Sequence, residues 1–202
     1  LGGTLLGVVV IGSVILTSKI NKLSSLKLNT DKLNISDEVK HEKGYTNVAL
    51  FGLDSRENDL GKGNRSDTIM IASLNNDTKE VKLVSIYRDT LLELDDGSYN
   101  KANSAYSFGG PEGAVSLINR NLDMNIEKYV TVNFNALVDV IDAVGGLDLE
   151  LTHDEVVHMN NYCVETSKVT GKSYEKIEPE VEGTYHLNGV QAVSYSRIRY
   201  TE

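Results

Sequence analysis

The chain has 202 residues, of which 40% are hydrophobic, and it carries a formal net charge of −9 at pH 7. This hydrophobic fraction is enough to bury an ordinary core, which excludes disorder of the whole chain, and the single cysteine, Cys163, excludes an internal disulfide. The acidic balance excludes a nucleic-acid-binding surface spread over the whole protein, because such surfaces are basic, so any anion site must be local.

The first eighteen residues, LGGTLLGVVVIGSVILTS, are uncharged and are nearly as long as a helix that crosses a bilayer core. A buried core helix fits less well, because apolar residues occupy every face. A cleaved signal peptide is the nearest rival, but no A-x-A-like site follows. The sequence therefore predicts a single membrane anchor over residues 1–18. Residues 19–46, rich in Lys, Asn, Ser and Asp, are predicted to form a stalk outside the membrane.

Three short apolar runs follow, NVALFGL, DTIMIASL and EVKLVSI, and each predicts a buried strand. The turn residues NNDT between the second and third runs predict a hairpin. Further along, GGPEGAVSLINRNL predicts a helix with Pro111 at its first position. The stretch NFNALVDVIDAVGG predicts another, because Phe134, Leu137, Val138 and Ile141 share one face.

The strands YVTV and LDLEL flank that second helix, so strand and helix alternate. This alternation predicts an α/β fold, an α-β-α sandwich around a mixed central sheet. Residues 152–186 are polar with weak helical periodicity around DEVVHMNNYCV, and they predict either a functional lid or a mobile insertion. The closing stretch HLNGVQAVSYSRIRY predicts a short helix followed by two arginines.

The chain has only six arginines against fourteen lysines, and five of the six arginines lie beside predicted strand ends or near the end of the chain. A guanidinium matches two phosphate oxygens at once, so arginines from separate segments suit a phosphate-rich ligand. Taken one pair at a time, surface salt bridges and turn formation are the better explanation. The coincidence of all five favours a site: Arg56, Arg65, Arg88, Arg197 and Arg199.

Two aspartates lie at adjoining ends of predicted strands. Asp54 comes just after the first strand and Asp67 begins the second. Ligands of α/β sheets collect where strands end. Mg²⁺ commonly takes one or two protein carboxylates and completes its octahedron with water and substrate phosphate. The sequence therefore predicts a magnesium site at these two residues.

Six stretches carry a family resemblance: GLDSR, NRSDT, SIYRDT, KANSAYSFGG, AVGGLDL and LNGVQAVSYSRIR. Each is weak alone, but together, in this order and over about residues 47–200, they are specific. They resemble the LytR-CpsA-Psr family of membrane-anchored cell-wall enzymes, and the apolar N-terminal run fits as well.

The resemblance implies a Mg²⁺-dependent phosphotransferase, with Mn²⁺ as the alternative ion. Such an enzyme moves a phosphate-linked glycopolymer, such as wall teichoic acid or capsule, from undecaprenyl pyrophosphate to a peptidoglycan hydroxyl. It implies an α/β catalytic domain over residues 47–202, with the lipid tail in an apolar cavity. The protein is then expected in the cell membrane as a single-pass protein, with this domain on the extracellular face of a Gram-positive-type bacterium.

By motif match, Asp54 and Asp67 are the implied metal carboxylates. Asp89 or Asp67 is the candidate base that takes the acceptor proton, beside Arg88. The implied pyrophosphate-binding residues are Arg65, Arg88, Arg197 and Arg199, with Arg56 and Lys101 matching motif positions in less defined roles.

Two departures from the family pattern are visible. Tyr87 stands where the family usually has proline, and the chain ends at Glu202, before a stretch where members carry a further arginine and a glutamine. The family pattern therefore predicts a longer domain. Two alternatives stay open: a regulatory or attenuator module that binds polyprenyl phosphate without turnover, and a lipid-pyrophosphate hydrolase.

Overall fold

The computed structural model describes residues 27–39, 43–53, 55 and 60–199. The predicted anchor at 1–18 lies outside these residues, and within them no helix is both long and apolar enough to cross a membrane. The strands are β1 Tyr45–Leu53, β2 Ser66–Asn75, β3 Val81–Ile86, β4 Leu91–Glu93, β5 Tyr99–Lys101, β6 Lys128–Val132, β7 Leu147–Leu151 and β8 Gly183–Leu187. The helices are α1 Ala102–Leu122, α2 Phe134–Ala143, α3 His153–Thr170 and α4 Gly189–Ser196.

The central sheet has the strand order β3-β2-β1-β6. Strand β2 is antiparallel to both β1 and β3, whereas β1 and β6 are parallel. The predicted mixed sheet and the predicted hairpin between β2 and β3 are therefore confirmed. The side chain of Asn75 sets the hairpin turn by accepting hydrogen bonds from the backbone N–H groups of Asp77 and Thr78, both at 2.9 Å.

One end of this sheet, called the sheet edge below, collects the strand ends that carry predicted site residues. Because β1, β3 and β6 run the same way, their carboxyl ends lie together with the start of β2. A β-bulge interrupts the pairing here, since Gly52 faces Thr68 and Leu53 faces Ser66. Asp67 is left as the extra residue. A bulge re-aims the side chain it carries, and bulges are common beside active sites.

Helix α1 covers one face of the sheet. Its fully buried Tyr106 meets Phe51 of β1 edge-on, with ring centroids 5.3 Å apart. Gly110 is not helical, so α1 consists of two helical segments, and Pro111 is the first residue of the second segment, as predicted. The first segment, which begins at Ala102, was not predicted. A kink at Gly110, with φ 66°, lets the chain pass Pro111 without a clash in the preceding turn.

A second core lies among α2, α3, α4 and the β7–β8 pair. Val138, Met159 and Val193 are fully buried there. Within residues 152–186, the helical pattern predicted around DEVVHMNNYCV is confirmed by α3, whose packing in this core does not fit a lid or mobile insertion over the whole region. A capping box starts α3: the Thr152 and Glu155 side chains each bond the other's backbone N–H. Only residues 171–182 remain irregular.

Candidate functional site

Four side chains, alternately negative and positive, meet at this sheet edge. Arg88 follows β3 by two residues, and its Nη1 donates to Asp67 Oδ1 at 2.7 Å. Its Nε lies 3.6 Å from Asp89 Oδ2, and Lys101 Nζ donates to Asp89 Oδ1 at 2.6 Å. We call Asp67, Arg88, Asp89 and Lys101 the edge cluster. The structure thus joins four residues that the sequence had placed in one site.

The edge cluster is open to water. The exposed fractions of its side chains are 37% for Asp67, 45% for Arg88, 55% for Asp89 and 61% for Lys101. The hydrogen bond from Lys101 lowers the pKa of Asp89, and the hydrogen bond to Asp67 raises the pKa of Arg88. Exposed ion pairs are typically worth only about 0–1 kcal/mol, so a phosphate can compete for Arg88 and Lys101.

The amino end of α1 is tied to the same edge. The N–H of Ala102 donates to the Thr90 carbonyl at 2.8 Å, and the N–H of Asn103 donates to the Arg88 carbonyl at 3.1 Å. The first turn of α1 carries no acidic residue. Since a helix start holds partial positive charge, α1 adds to the attraction that the edge cluster offers an anion.

Ser66 marks an unfilled polar position at the bulge. Its side chain is completely buried, and its Oγ has no hydrogen-bond partner among the residues that the structure describes. Asp67 is its neighbour in the chain. Buried polar atoms normally find partners, so a polar ligand at this point would satisfy this hydroxyl.

A second arginine reaches the same edge of the sheet from α4. Arg197 donates from Nη2 to Glu165 Oε2 at 2.8 Å and from Nη1 to Thr166 Oγ1 at 3.1 Å. Its guanidinium carbon lies 5.1 Å from the ring centroid of Phe134 and 5.2 Å from that of Tyr162. We call these five residues the Arg197 clamp. Only 21% of the Arg197 side chain is exposed, so the guanidinium is held in one place.

The position of Phe134 locates the Arg197 clamp relative to the edge cluster. Phe134 follows the end of β6 by two residues, whereas Arg88 follows the end of β3. Strands β3 and β6 are three places apart in the sheet, which corresponds to about 14 Å. The two arginines therefore bracket the edge and do not touch each other's partners. A ligand that contacts both arginines would have to span the part of this separation that their side chains do not cover.

The remaining predicted site residues are placed less completely. Asp54 and Arg56 lie outside the described residues. Arg65 directly precedes β2 and Arg199 lies beyond α4, and both are exposed. No ion-pair partner of either is found among residues 27–39, 43–53, 55 and 60–199. The metal prediction for Asp54 and Asp67 stays a prediction, since the described part of the chain contains no group of three metal-ligating side chains.

Sequence reasoning missed four members of the Arg197 clamp: Phe134, Tyr162, Glu165 and Thr166. Phe134 had been read only as part of a helix face. The other three share one face of α3, with spacings of three and four residues. No sequence signal connects this face to Arg197, because the contact depends on how α3 packs against α4.

An apolar surface adjoins the edge. The sheet residues that alternate with the buried Ala49 and Phe51 point away from α1. Among them Leu50 is half-buried and Val130 is 46% exposed, and the two are aligned on neighbouring strands. Leu83 of β3 is 60% exposed. The described elements therefore leave an apolar sheet face that ends near the edge cluster.

Comparison with known proteins agrees with the family resemblance seen in the sequence. The model of the LytR_cpsA_psr family matches residues 12–202. Curated relatives include the polyisoprenyl-teichoic acid–peptidoglycan teichoic acid transferase TagU of Bacillus cereus, 34% identical over 179 residues, or 86% of this chain and 50% of the relative. TagV of Bacillus subtilis, which carries the same transferase name, is 36% identical over 173 residues, or 84% of this chain and 41% of the relative.

Solved structures extend the comparison to the fold. The LytR-CPS2A-psr family protein YwtF (TagT), solved with bound octaprenyl pyrophosphate lipid, superposes with a TM-score of 0.63 at 24% identity. The match covers 87% of this chain and 66% of that one. At this identity the likeness concerns the fold. The chain spans about half the length of the curated relatives it matches.

Proposed function

The chain belongs to the LytR-CpsA-Psr family, and we propose that it transfers a phosphate-linked glycopolymer from a polyprenyl pyrophosphate carrier to a peptidoglycan hydroxyl. The observation that carries the proposal is the edge cluster, where Arg88 is held by exchangeable bonds to Asp67 and Asp89 beside Lys101. The transferase names of TagU and TagV and the lipid bound to TagT support this reading.

The donor pyrophosphate is proposed to lie along the sheet edge. Arg88 and Lys101 exchange their carboxylate partners for phosphoryl oxygens at one end. Arg197 lies at the other end, and its guanidinium has further N–H groups besides those that bond Glu165 and Thr166. The exposed Arg65 and Arg199, together with Arg56, complete the proposed clamp. The lipid tail, taken to be undecaprenyl, is proposed to lie on the apolar sheet face represented by Leu50, Leu83 and Val130.

A divalent ion is part of the proposal, with Asp54 and Asp67 as its protein ligands. Carboxylate oxygens are the donors that Mg²⁺ prefers, and Mn²⁺ accepts the same set. The Ser66 hydroxyl, which has no partner within the described part of the chain, precedes Asp67 and gives the bulge a polar character that fits such a site. When bound, the ion would help to neutralise charge on the phosphoryl oxygens.

In the proposed reaction, the acceptor hydroxyl oxygen forms a bond to the phosphorus nearer the glycan. The bond from that phosphorus to the bridging oxygen breaks, and polyprenyl phosphate leaves. The arginines stabilise charge on the phosphoryl oxygens as the bond order shifts. A carboxylate takes the hydroxyl proton. The candidates for this role are Asp67 and Asp89, the two carboxylates that flank Arg88.

The proposed location follows from the proposed substrates. Polyprenyl carriers reside in a membrane and peptidoglycan lies outside it, so the domain is proposed to act on the extracellular face of the cell membrane. Residues 1–18 are proposed as the single-pass anchor, because their uncharged run suits a bilayer core.

Donor binding gives the first test. Binding of a polyprenyl pyrophosphate to the full chain is measured with and without Mg²⁺ for wild type, Arg88→Ala and Arg120→Ala. Arg120 is the matched control, because it is also ion-paired, at 3.1 Å from Glu93, but lies on α1 away from the edge. We expect at least tenfold weaker binding for Arg88→Ala, since charge-assisted hydrogen bonds contribute roughly 1.5–3 kcal/mol each. Arg120→Ala should bind as wild type does.

Equal donor binding by wild type and Arg88→Ala would contradict the proposed site.

A second assay measures turnover of the polyprenyl pyrophosphate donor by the wild-type chain, with and without peptidoglycan. Polyprenyl phosphate released only with acceptor supports transfer, whereas release in water alone identifies a hydrolase. Binding with no release in either case identifies a binding or regulatory module.

A further inference from the structure

A cleft separate from the sheet edge lies between the irregular segment 171–182 and the β8–α4 junction. Its volume is about 720 Å³, and its lining includes Tyr174, Glu175, Lys176, Glu178, Tyr185 and His186. We call it the two-tyrosine cleft. Gln191 of α4 also lines it, and Arg197 follows six residues later, about 9 Å along the helix. Along the axis of α4 the cleft is therefore close to the Arg197 clamp.

The segment that forms the outer wall of the cleft is held in place by buried side chains. Asn160, only 3% exposed, donates to the Ile177 carbonyl at 3.0 Å and accepts from the Ile177 N–H at 3.2 Å. Gln191, 7% exposed, donates to the Glu175 carbonyl at 2.8 Å. A segment without regular structure is thus fixed before any ligand arrives, which removes much of the ordering cost of binding.

Tyr174 and Tyr185 give the cleft an apolar surface with polar tips. Both side chains are half-buried against the second core and also line the cleft. The Tyr185 hydroxyl donates to the Val181 carbonyl at 2.8 Å, so its ring is fixed in orientation. Rigid aromatic rings among a few polar groups suit ligands that combine an apolar face with a polar edge. Pyranose rings have this character, with C–H groups on the face and hydroxyls on the edge.

The charges around the cleft disfavour a polyanion. Lys176 Nζ lies 2.7 Å from Glu178 Oε1 and 3.4 Å from Glu180 Oε1, so its charge is already offset. His186 Nδ1 is likewise occupied by Asp148 Oδ1 at 2.7 Å. Glu175 adds a further exposed carboxylate. A phosphate-rich polymer would meet this net negative charge, whereas an uncharged saccharide would not.

We propose that the two-tyrosine cleft is a subsite for an uncharged oligosaccharide of N-acetylated amino sugars. The inference rests on the proposed function, in which such a glycan is the acceptor. The cleft would hold sugars next to the reacting one and so bring the acceptor hydroxyl to the edge between Arg197 and Arg88. It is a place for the acceptor strand and not for the donor polymer.

The test uses the full chain and two probes. Chitotetraose, an uncharged oligomer of N-acetylglucosamine, represents the acceptor, and a poly(glycerol phosphate) fragment represents a phosphate-rich donor polymer. Binding is measured by calorimetry for wild type, Tyr185→Ala, Tyr185→Phe and the control Tyr99→Ala, whose ring is 64% exposed on β5. We expect chitotetraose binding to fall at least tenfold in Tyr185→Ala. It should stay within about threefold in Tyr185→Phe, which keeps the ring, and be unchanged in Tyr99→Ala.

A second readout does not depend on any variant. In wild type, chitotetraose should shift the amide NMR signals of Lys176 and His186 and leave those of Asp67 and Asp89 in place. Absence of chitotetraose binding, shifts confined to the edge cluster, or a cleft that takes the polyanion instead would each overturn the inference. Polyprenyl pyrophosphate binding is measured on the same sample. Donor binding without sugar binding removes only this inference, whereas sugar binding without donor binding removes the proposed function and leaves the subsite.

Discussion

The edge cluster and the Arg197 clamp hold the same chemical group in two different ways. Arg88 is bonded to Asp67 and lies near Asp89, with nearly half of its side chain exposed. Arg197 lies between the rings of Phe134 and Tyr162, with a fifth of its side chain exposed. Solvent screens the first set of contacts, whereas stacking and burial protect the second.

This difference teaches what each arginine is suited to do. A guanidinium in weak, exposed ion pairs can release its carboxylates at little cost and follow a phosphate that moves during reaction. A stacked guanidinium cannot move without losing both aromatic contacts, so it is suited to fix the position of a ligand. We therefore interpret Arg197 as the fixed end of the proposed pyrophosphate site and Arg88 as its exchangeable end.

The largest expected effect comes from a substitution that displaces Arg197, the fixed end of the proposed pyrophosphate site. Gly189 begins α4, and a Cβ there would collide with the Val138 carbonyl oxygen of α2 and lie 2.8 Å from Val138 Cγ1. Gly189→Ala must push α4 away from α2, which we expect to cost about 2–3 kcal/mol of unfolding free energy in urea titrations. Arg197 should leave its clamp, while the amide signals of Asp67 and Asp89 stay unchanged.

Gly109→Ala is the matched control for that change. Gly109 also lies in a helix, but a Cβ there would meet no atom of residues 27–39, 43–53, 55 or 60–199 within 4 Å. We expect neutral or slightly higher stability, because alanine loses less backbone entropy than glycine. A destabilisation as large as that of Gly189→Ala would show that the collision with α2 is not the cause.

The next largest effect separates the two arginines by chemistry. Arg197→Lys loses two cation–π contacts, each worth roughly 0.5–1 kcal/mol, and the planar fork toward Glu165 and Thr166. We expect about tenfold weaker binding of polyprenyl pyrophosphate. Arg88→Lys keeps a mobile charge in an exposed site and should lose only about threefold. Equal losses in the two variants would mean that the stacking of Arg197 does not matter for binding.

The sequence predicted the edge cluster better than the Arg197 clamp, because the edge cluster depends on features that are close together in the sequence. The edge depends on where β2 and β3 begin and end, and the alternating apolar runs located those ends to within one residue. Once the hairpin is known, Asp67 and Arg88 must be neighbours. Glu165 and Arg197 are 32 residues apart, and their contact depends on the packing of α3 against α4.

Two helices, α1 and α3, were only partly predicted from the sequence. The amino half of α1, ANSAYSFG, contains residues that favour turns, and it is anchored by backbone bonds from Ala102 and Asn103 to the strand-end segment. Tertiary structure here overrides local preference. Helix α3 buries the polar residues Asn160 and Thr166 among its apolar ones, which weakens its periodicity. Its capping-box pattern of Thr152 followed by Glu155 was readable and marks its start.

A third prediction compares the carboxylate partners and gives effects of opposite sign. Asp67→Asn frees Arg88 from an exposed ion pair, so without divalent ions we expect two- to fivefold tighter binding of inorganic pyrophosphate, as roughly 1 kcal/mol of competition is removed. Glu165→Gln removes the same charge but loosens Arg197, and binding should weaken. Calorimetry in EDTA measures both. Tighter binding in both variants would show that overall charge, and not position, decides affinity.

The smallest expected effect is a change in the pKa values of two carboxylates, which NMR titration measures. The pKa of Asp89 lies below its ordinary 3.8, mainly because Lys101 donates to it. The stability it contributes is therefore present above pH 3.8 and is lost as pH falls through its lower folded-state pKa. Lys101→Met, or high salt, should move the pKa of Asp89 back up toward 3.8. The pKa of Glu155, in the first turn of α3, is lowered mainly by the Thr152 backbone N–H, a neutral donor, so salt should move it less. If salt moved both alike, the contrast between an exchangeable charged edge and a fixed helix-bound region would fail at these carboxylates.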